Sequence, residues 1–134
     1  MLVLVVEDDE AVRELVVRTL SGDGHTIIAA RDGLEALAII ETTMPDAVVL
    51  DVHMPNMNGF EVLNHLRSMD DTENVPILML TARGSLADVQ RAKNLGATDF
   101  ICKPFATRLL LRRVDRMLNP QEEAEEETAG SEQI

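Results

Sequence analysis

Residues 47–59 read AVVLDVHMPNMNG, an aliphatic run that ends in a carboxylate and passes directly into a turn. A continuous run of this kind is typical of a strand that is covered on both faces of a parallel sheet. Asp51 then stands at the carboxyl end of the strand, and Pro55 and Gly59 interrupt the chain after it. The stretch therefore predicts a strand of an α/β sheet with a carboxylate at its carboxyl edge.

The pattern around this stretch repeats along the chain. Further aliphatic runs lie at residues 2–6, 25–30, 77–80 and 99–102, and segments of helical period lie at 10–21, 33–43, 59–69, 85–95 and 106–118. Strands that alternate with helices imply right-handed crossovers and an open parallel sheet with helices on both faces. We predict an α/β fold of doubly wound (βα)5 type, flavodoxin-like, with strand order 2-1-3-4-5.

Helical period also predicts which side chains face the sheet. On the first helix the inward stripe is Val12, Leu15, Val16, Thr19 and Leu20. On the second helix it is Leu34, Leu37, Ala38 and Glu41.

Composition limits the class of protein. The chain has 134 residues, of which 46% are hydrophobic, so one domain with a sizeable core is expected. The net charge of −12 argues against direct binding of nucleic acid. Residues 121–134 hold six Glu and no Lys or Arg, which is half of that charge. We predict a domain over residues 1–120 and an acidic disordered tail or truncated linker over 121–134.

The sequence predicts neither a membrane anchor nor a disulfide framework. No run approaches the roughly 18 apolar residues of a membrane-spanning helix, and residues 2–6 lack a basic leader. The single cysteine, Cys102, fits a reducing compartment. A cytoplasmic location without membrane contact is therefore expected.

Polar groups follow the predicted strands in a pattern that suggests one site. Glu7 and Asp8 follow the first strand, Asp51 closes the third, Thr81 follows the fourth and Lys103 the fifth. In the order 2-1-3-4-5 the first and third strands are neighbours, so their carboxylates share a pocket. Three such groups repel unless a divalent cation neutralises them, and Mg²⁺ prefers oxygen ligands.

Asp51 has two possible roles in such a pocket. It is either a plain metal ligand or a nucleophile that attacks phosphorus and forms an acyl phosphate. Lys103 and Thr81 could each contact a phosphoryl oxygen, which favours the nucleophile.

Four segments in this order and spacing resemble the receiver domain of two-component response regulators. They are residues 5–9 (VVEDD), 49–59 (VLDVHMPNMNG), 80–82 (LTA) and 96–105 (GATDFICKPF), and the resemblance covers about residues 1–119. It implies that Asp51 is the phosphoacceptor and that Glu7 and Asp8 are the acidic pair, with Asp8 the direct metal ligand and the His53 backbone carbonyl a further metal ligand. It also implies that Thr81 is the switch hydroxyl, Phe100 the switch aromatic, and Lys103 the lysine of the phosphorylation site. Mg²⁺ is the expected ion, with Mn²⁺ as an alternative, and a cis Lys103–Pro104 bond is expected.

The resemblance also implies a function. A histidine kinase or histidine phosphotransfer protein would phosphorylate Asp51, and the face of the fourth helix, fifth strand and fifth helix would then bind a downstream protein or effector domain. The domain would slowly hydrolyse its own aspartyl phosphate without being a conventional enzyme. It would be a monomer or a phosphorylation-dependent dimer, either acting alone or forming part of a longer regulator.

Several positions are specific to this chain. Glu7 stands where the family more often has Asp. His53 and Arg83 occupy variable positions that tune the lifetime of the phosphoryl group, and they lead us to expect a longer lifetime than in fast chemotaxis-type regulators. Leu86, Val89 and Leu109 are expected on the partner face, although Leu86 or Val89 could instead pack on the sheet.

Other interpretations are weaker. A haloacid-dehalogenase-like aspartyl phosphatase usually has a second Asp two residues after the nucleophile, where this chain has His53. A nucleotide-binding fold needs a Gly-rich loop after the first strand, where this chain has Glu7-Asp8-Asp9. Thr81 could cap the fourth helix, and Phe100 could be static core.

Overall fold

The computed structural model describes residues 1–82 and 85–120. The strands are β1 (Leu2–Val6), β2 (Thr26–Ala30), β3 (Ala47–Asp51), β4 (Ile77–Ala82) and β5 (Asp99–Lys103). The helices are α1 (Glu10–Gly22), α2 (Gly33–Thr42), α3 (Gly59–Ser68), α4 (Leu86–Asn94) and α5 (Thr107–Leu118). The predicted elements are all present, with small differences at their ends.

The sheet is parallel and has the order β2-β1-β3-β4-β5, which confirms the predicted fold. Val6 of β1 is level with Leu50 of β3. Glu7 and Asp51, the next residue of each strand, therefore emerge side by side. Ala82 of β4 is level with Lys103 of β5, so the carboxyl ends of the strands form one edge.

Two aliphatic layers enclose the sheet, because successive strand residues point to opposite faces. One layer packs against α2, α3 and α4 and includes Leu4, Val6, Leu50, Ile77, Met79 and Leu63. The other packs against α1 and α5 and includes Val3, Val5, Val49, Leu78, Leu80 and Leu110. Every strand but the two outer ones is thus buried on both sides, which explains the unbroken aliphatic runs.

Side-chain caps fix where four helices begin, and that of α2 is Asp32, which accepts from the Glu35 N–H at 2.8 Å. Asp9 accepts a hydrogen bond from the Val12 backbone N–H at 3.0 Å, and Asn58 and Glu61 form a capping box at the start of α3. Ser85 accepts from the Asp88 N–H at 3.3 Å and caps α4. The alternative that Thr81 caps the fourth helix is therefore wrong.

The predicted inward faces of α1 and α2 are wrong in part. On α1, Val16 and Leu20 are buried as predicted, but Leu15 is 42% exposed. On α2, Leu34 is 55% exposed, and the buried residues are Gly33, Ala36 and Ile40. A Cβ on Gly33 would lie 2.7 Å from Val62 Cγ2 of α3. The close approach of α2 to α3 therefore selects the face with the small residues.

Candidate functional site: an acidic pocket at the carboxyl edge

Three carboxylates meet where β1 and β3 end. Glu7 is fully buried, Asp51 is 3% exposed and Asp8 is exposed. Glu7, Asp8 and Asp51 each offer an oxygen within 4.8 Å of the other two. The Glu7 N–H donates to the Ala30 carbonyl at 3.1 Å, which extends the β1–β2 ladder past β1 and holds Glu7 in place. The predicted sharing of one pocket by these carboxylates is what the structure shows.

Lys103 joins two of these carboxylates. Its Nζ donates to Glu7 Oε1 at 3.0 Å and Oε2 at 2.9 Å and lies 3.0 Å from Asp51 Oδ1. The side chain reaches there from β5 although β4 separates β5 from β3. The Lys103–Pro104 peptide bond is cis, as expected.

Burial sets the electrostatics of the pocket. It raises the pKa of Glu7 to about 7, against the opposing effect of the Lys103 hydrogen bond. Burial likewise raises the pKa of Asp51, again opposed by Lys103. Burial alone would lower the pKa of Lys103, but its bonds to Glu7 and Asp51 outweigh this and raise it. Lys103 thus compensates only part of the negative charge of Glu7 and Asp51.

The residues present fit a divalent cation. Three carboxylates and one ammonium group leave two formal negative charges within a few ångströms. Oxygen ligands at the solvent-facing side suit Mg²⁺, which keeps several waters and takes one or two carboxylates directly. Asp8 and Asp51 are the direct candidates, with Glu7 behind them and the His53 backbone carbonyl beside them in the chain.

The turn after Asp51 depends on Gly59, which the sequence indicated only as a break after the strand. The Gly59 N–H donates to the Val52 carbonyl at 2.8 Å and folds the turn back onto β3. A Cβ on Gly59 would overlap the Asp51 carbonyl oxygen. Gly59 therefore allows α3 to start directly against the backbone of the phosphoacceptor candidate. The Asn58-Gly59 pair was the available signal.

The structure does not bring the Thr81 hydroxyl to the acidic pocket. Thr81 is buried, and its hydroxyl donates to the Ile101 carbonyl at 3.3 Å and lies 3.4 Å from Cys102 Sγ. Phe100 is half-buried against the α2–α4 side of the core, with Lys93 Nζ 5.4 Å from its ring centroid. Both residues thus lie on adjoining strands between the pocket and α4.

His53 makes a contact that was not foreseen. Its Nε2 lies 2.8 Å from Asp88 Oδ2 in the first turn of α4. The loop after Asp51 is therefore tied to α4 through one side-chain pair. Arg83, the second predicted lifetime-tuning residue, lies outside the residues that the structure describes.

The predicted partner face is exposed only in part. Leu86 is 83% exposed, so the alternative that it packs on the sheet is wrong, whereas Val89 is half-buried. Leu109 is also half-buried and packs against the α1–α5 side of the core. Arg113 and Arg116 next to it pair with Asp99 of β5 at 2.9 Å and 3.5 Å.

With this geometry established, comparison with known proteins assigns the family. The model of the response regulator receiver domain matches residues 3–115. The chain belongs to the response regulator receiver domain family. It is thus the receiver domain of a two-component response regulator. Within residues 1–82 and 85–120, no helix of this receiver domain is long and apolar enough to cross a membrane.

Relatives and solved structures agree with this assignment. The receiver domain is 46% identical to the response regulator MprA of Mycobacterium ulcerans over 129 residues, which are 96% of this chain and 55% of that protein. It thus spans about half the length of the curated relatives it matches. A putative response regulator from Chloroflexus aurantiacus is similar with TM-score 0.85 and 36% identity, covering 87% of this chain and 96% of that one. Chemotaxis protein CheY4 of Vibrio cholerae is similar with TM-score 0.82 and 38% identity, covering 87% and 98%.

Proposed function

We propose that this receiver domain accepts a phosphoryl group on Asp51 from the phosphohistidine of a histidine kinase or phosphotransfer protein, with Mg²⁺ as cofactor. The observation that carries the proposal is the position of Asp51. It is the last residue of β3, the central strand of the sheet, it is 3% exposed whereas Glu7 is fully buried, and it lies 3.0 Å from the ammonium group of Lys103. An ordinary surface carboxylate would need neither this burial nor this contact with Lys103.

The residues suggest how the transfer would proceed. One Asp51 oxygen attacks phosphorus while the phosphorus–nitrogen bond to the donor histidine breaks, which yields an acyl phosphate on Asp51 and a free imidazole. Mg²⁺, held by Asp8, Asp51 and the His53 carbonyl, would neutralise phosphoryl oxygens. Lys103 is close enough to exchange its Asp51 contact for a phosphoryl oxygen. Hydrolysis by water later restores the carboxylate.

Thr81 and Phe100 are the proposed route from the pocket to the partner face. In the structure the Thr81 hydroxyl donates to the backbone of β5, away from Asp51. A phosphoryl group on Asp51 would offer that hydroxyl a charged acceptor, and the weak 3.3 Å bond to Ile101 would be given up. Phe100 would then move into the space that Thr81 leaves. The outcome is a shift between two populations of the α4-β5-α5 face.

A labelling experiment tests the core of the proposal. The full chain is incubated with acetyl phosphate, with and without Mg²⁺, and the added phosphoryl group is measured by mass spectrometry. We expect one phosphoryl group that requires Mg²⁺ and is lost in Asp51→Asn. Asp71→Asn, an exposed residue of the α3–β4 loop, is the matched control and should label normally. Labelling of Asp51→Asn to the wild-type level would refute the proposal.

A second experiment concerns the phosphoryl lifetime, which we propose is long for the family because His53 is held beside the pocket by Asp88. His53→Asn and Asp88→Asn should each hasten loss of the phosphoryl group by a few-fold, since less than about 1.4 kcal/mol of barrier is at stake. Arg83→Glu should act in the same direction. His65→Asn, on the exposed side of α3, is the control. Unchanged decay in all three site variants would contradict this part.

The partner and the location are also proposals. The curated relatives are about twice as long as this chain, so a downstream effector domain or protein that contacts the α4-β5-α5 face is expected. Leu86, Val89 and Leu109 would contact it, and dimerisation would depend on phosphorylation. A receiver domain over residues 1–120, an acidic tail or linker over 121–134 and a cytoplasmic location complete the proposal. Residues 121–134 lie outside the described part of the chain.

A further inference from the structure

A second group of metal-ligating side chains lies at the opposite, amino edge of the sheet. Asp23 follows α1, His25 precedes β2 and Asp115 lies near the end of α5. Each offers a ligand atom within 4.8 Å of the other two. We call these residues the His25 cluster. Asp23 and His25 lie in the turn between α1 and β2 and Asp115 lies on α5, and none of them takes part in the acidic pocket around Asp51.

Two of the three cluster residues, Asp23 and His25, lie in the turn that follows α1. The Asp23 N–H donates to the Leu20 carbonyl at 3.1 Å, the Gly24 N–H to Ser21 at 3.1 Å, and the His25 N–H to Leu20 at 3.2 Å. Gly24 has φ +90°, a left-handed conformation that glycine adopts at little cost. This tight turn fixes Asp23 and His25 relative to each other. Asp115 approaches them from α5, which packs beside α1.

The distances within the cluster suit a shared ligand better than hydrogen bonds. His25 Nε2 lies 3.6 Å from Asp115 Oδ1 and 3.7 Å from Asp23 Oδ2, both beyond hydrogen-bond range. Two ligands of one tetrahedral Zn²⁺, with bonds of about 2.0–2.2 Å, lie roughly 3.3–3.6 Å apart. The spacing therefore leaves room for one ion between the imidazole and the carboxylates.

The imidazole of His25 supports this interpretation independently. The His25 side chain is only 11% exposed, and both ring nitrogens are buried. Among the residues that the structure describes, neither nitrogen has a hydrogen-bond partner. A buried polar atom without a partner is costly, and a bound cation would relieve Nε2 of that cost. Asp23 and Asp115 are 40% and 52% exposed, which leaves an entry path and room for water ligands.

We propose that Asp23, His25 and Asp115 form a second divalent cation site that takes a borderline transition-metal ion such as Zn²⁺. An imidazole nitrogen with two carboxylates suits Zn²⁺, whereas Mg²⁺ prefers oxygen ligands alone. Two carboxylates also neutralise the charge of the ion. The site takes three protein ligands, and water completes the coordination.

A bound ion would join α1, β2 and α5 at the amino edge. Asp115 lies between Arg113 and Arg116, which pair with Asp99 of β5. The ion would therefore also fix the helix that carries Leu109. Because the ion binds the folded chain, it raises the thermal midpoint in proportion to the logarithm of its concentration.

Calorimetric titration of the full chain with Zn²⁺ tests the proposal. Excess Mg²⁺ is present throughout to occupy the pocket around Asp51. We expect one equivalent of Zn²⁺ to bind. Loss of even an indirect ligand partner costs about 10–100-fold in affinity, so His25→Gln and Asp115→Asn should each weaken binding by about a hundredfold or more. Asp51→Asn should bind Zn²⁺ as the wild type does, so the result is independent of the proposed phosphorylation.

Two histidine controls identify the ligand. His53→Gln removes the imidazole that faces Asp88, and His65→Gln removes an exposed imidazole on α3; both should leave Zn²⁺ binding unchanged. Co²⁺ provides a second readout, since tetrahedral coordination gives strong visible absorption bands that should disappear in His25→Gln. Circular dichroism in EDTA establishes that each variant folds. If His25→Gln does not fold, Asp115→Asn, altered at a half-exposed side chain, decides the question.

The outcomes separate cleanly. Saturable binding of one ion that depends on His25 and Asp115 supports the site. No saturable binding, equal binding by His25→Gln and the wild type, or binding that is lost in His53→Gln would each overturn it. A rise of the thermal midpoint with Zn²⁺ in the wild type, absent in Asp115→Asn, is the expected confirmation.

Discussion

Each edge of the sheet contains a half-buried cationic side chain that contacts several oxygen atoms, and the two edges use it differently. At the carboxyl edge, Lys103 contacts two carboxylates, Glu7 and Asp51. At the amino edge, Arg67 donates to neutral acceptors: the carbonyls of Gly96 and Val75 at 2.8 Å, that of Thr72 at 3.3 Å and the Thr98 hydroxyl at 3.4 Å. The carboxyl edge retains uncompensated negative charge. At the amino edge, Arg67 supplies hydrogen-bond donors to the neutral oxygen atoms around it.

The difference agrees with the proposal that places the chemistry at the carboxyl edge. The planar guanidinium of Arg67 fixes several loop carbonyls at once, a static task that suits five donors in a rigid fork. The flexible ammonium of Lys103 is a point charge that can move from one oxygen to another. In a pocket of buried carboxylates, such an ammonium group can exchange one oxygen partner for another. A set of satisfied carbonyls offers no such exchange.

The substitution Gly59→Ala should have the largest effect. The new methyl group would overlap the Asp51 carbonyl and displace the backbone of this proposed phosphoacceptor. Since a misplacement of about 1 Å can cost roughly a hundredfold in rate, phosphorylation by acetyl phosphate should slow by about that factor. Phosphorylation rates measured by mass spectrometry check this.

Gly22→Ala is the matched control for Gly59→Ala. A Cβ on Gly22 meets nothing within 4 Å, and this residue ends α1 far from the pocket. Alanine there should stabilise the fold by at most about 1 kcal/mol and leave phosphorylation unchanged. Equal phosphorylation of both variants would contradict the proposed role of Gly59.

Arg67→Met should affect stability and spare the chemistry. Methionine keeps the aliphatic packing but removes the Arg67 donor from the carbonyls of Gly96 and Val75, while the Thr72 carbonyl keeps the Val75 N–H. We expect the free energy of unfolding to fall by about 2–4 kcal/mol while the phosphorylation rate of the folded protein stays the same. Denaturant titrations must be followed by circular dichroism, because the chain has no Trp or Tyr.

Arg18→Met is the control for Arg67→Met. Arg18 is exposed and lies 3.8 Å from Glu14 one turn earlier, so its loss should change stability by less than about 0.5 kcal/mol. A similar small change in Arg67→Met would show that the amino edge is not held by this residue.

The pH dependence should be the mildest difference between the edges. Burial raises the pKa of Glu7 from 4.5 to about 7, so the folded state holds this proton more tightly than the unfolded state. The corresponding stability is fully present below pH 4.5 and is lost as the pH rises through about 7, with a slope of at most about 1.4 kcal/mol per pH unit. The measurement is wild-type stability minus Glu7→Gln stability in EDTA. Mg²⁺ should abolish the slope, and a difference that rises with pH would contradict the assignment.

Much of the fold could be predicted because β and α patterns differ so clearly here. The aliphatic strands and the breaks after them gave the element order, and the right-handed crossover restricts the topology of alternating strands and helices. The inward faces of α1 and α2 could not be read in full. Leu15 and Leu34 are as apolar as the residues that are buried, and only the close approach of α2 to α3 at Gly33 makes the choice for α2.

The pocket was predictable for a related reason. Glu7, Asp8, Asp51 and Lys103 stand at strand ends, and parallel strands bring their carboxyl ends to one edge. The contact between His53 and Asp88 joins residues that are 35 positions apart, and no sequence pattern records it. Gly59 lies within a predicted turn, but its closeness to the Asp51 carbonyl is a property of the packed structure.

The sequence by itself determined the order of elements, the family and the chemical groups at each strand end, because these depend on local hydrophobicity and on residue type. The tertiary structure decided which carboxylates lie close to a positively charged side chain and how far that charge compensates them. The carboxylates of Glu7 and Asp51 share one lysine only because β1 and β3 are neighbours and β5 ends at the same edge. The His25 cluster exists only because α5 packs beside α1. Burial and distance set these interactions, and both arise only when the helices and strands pack together.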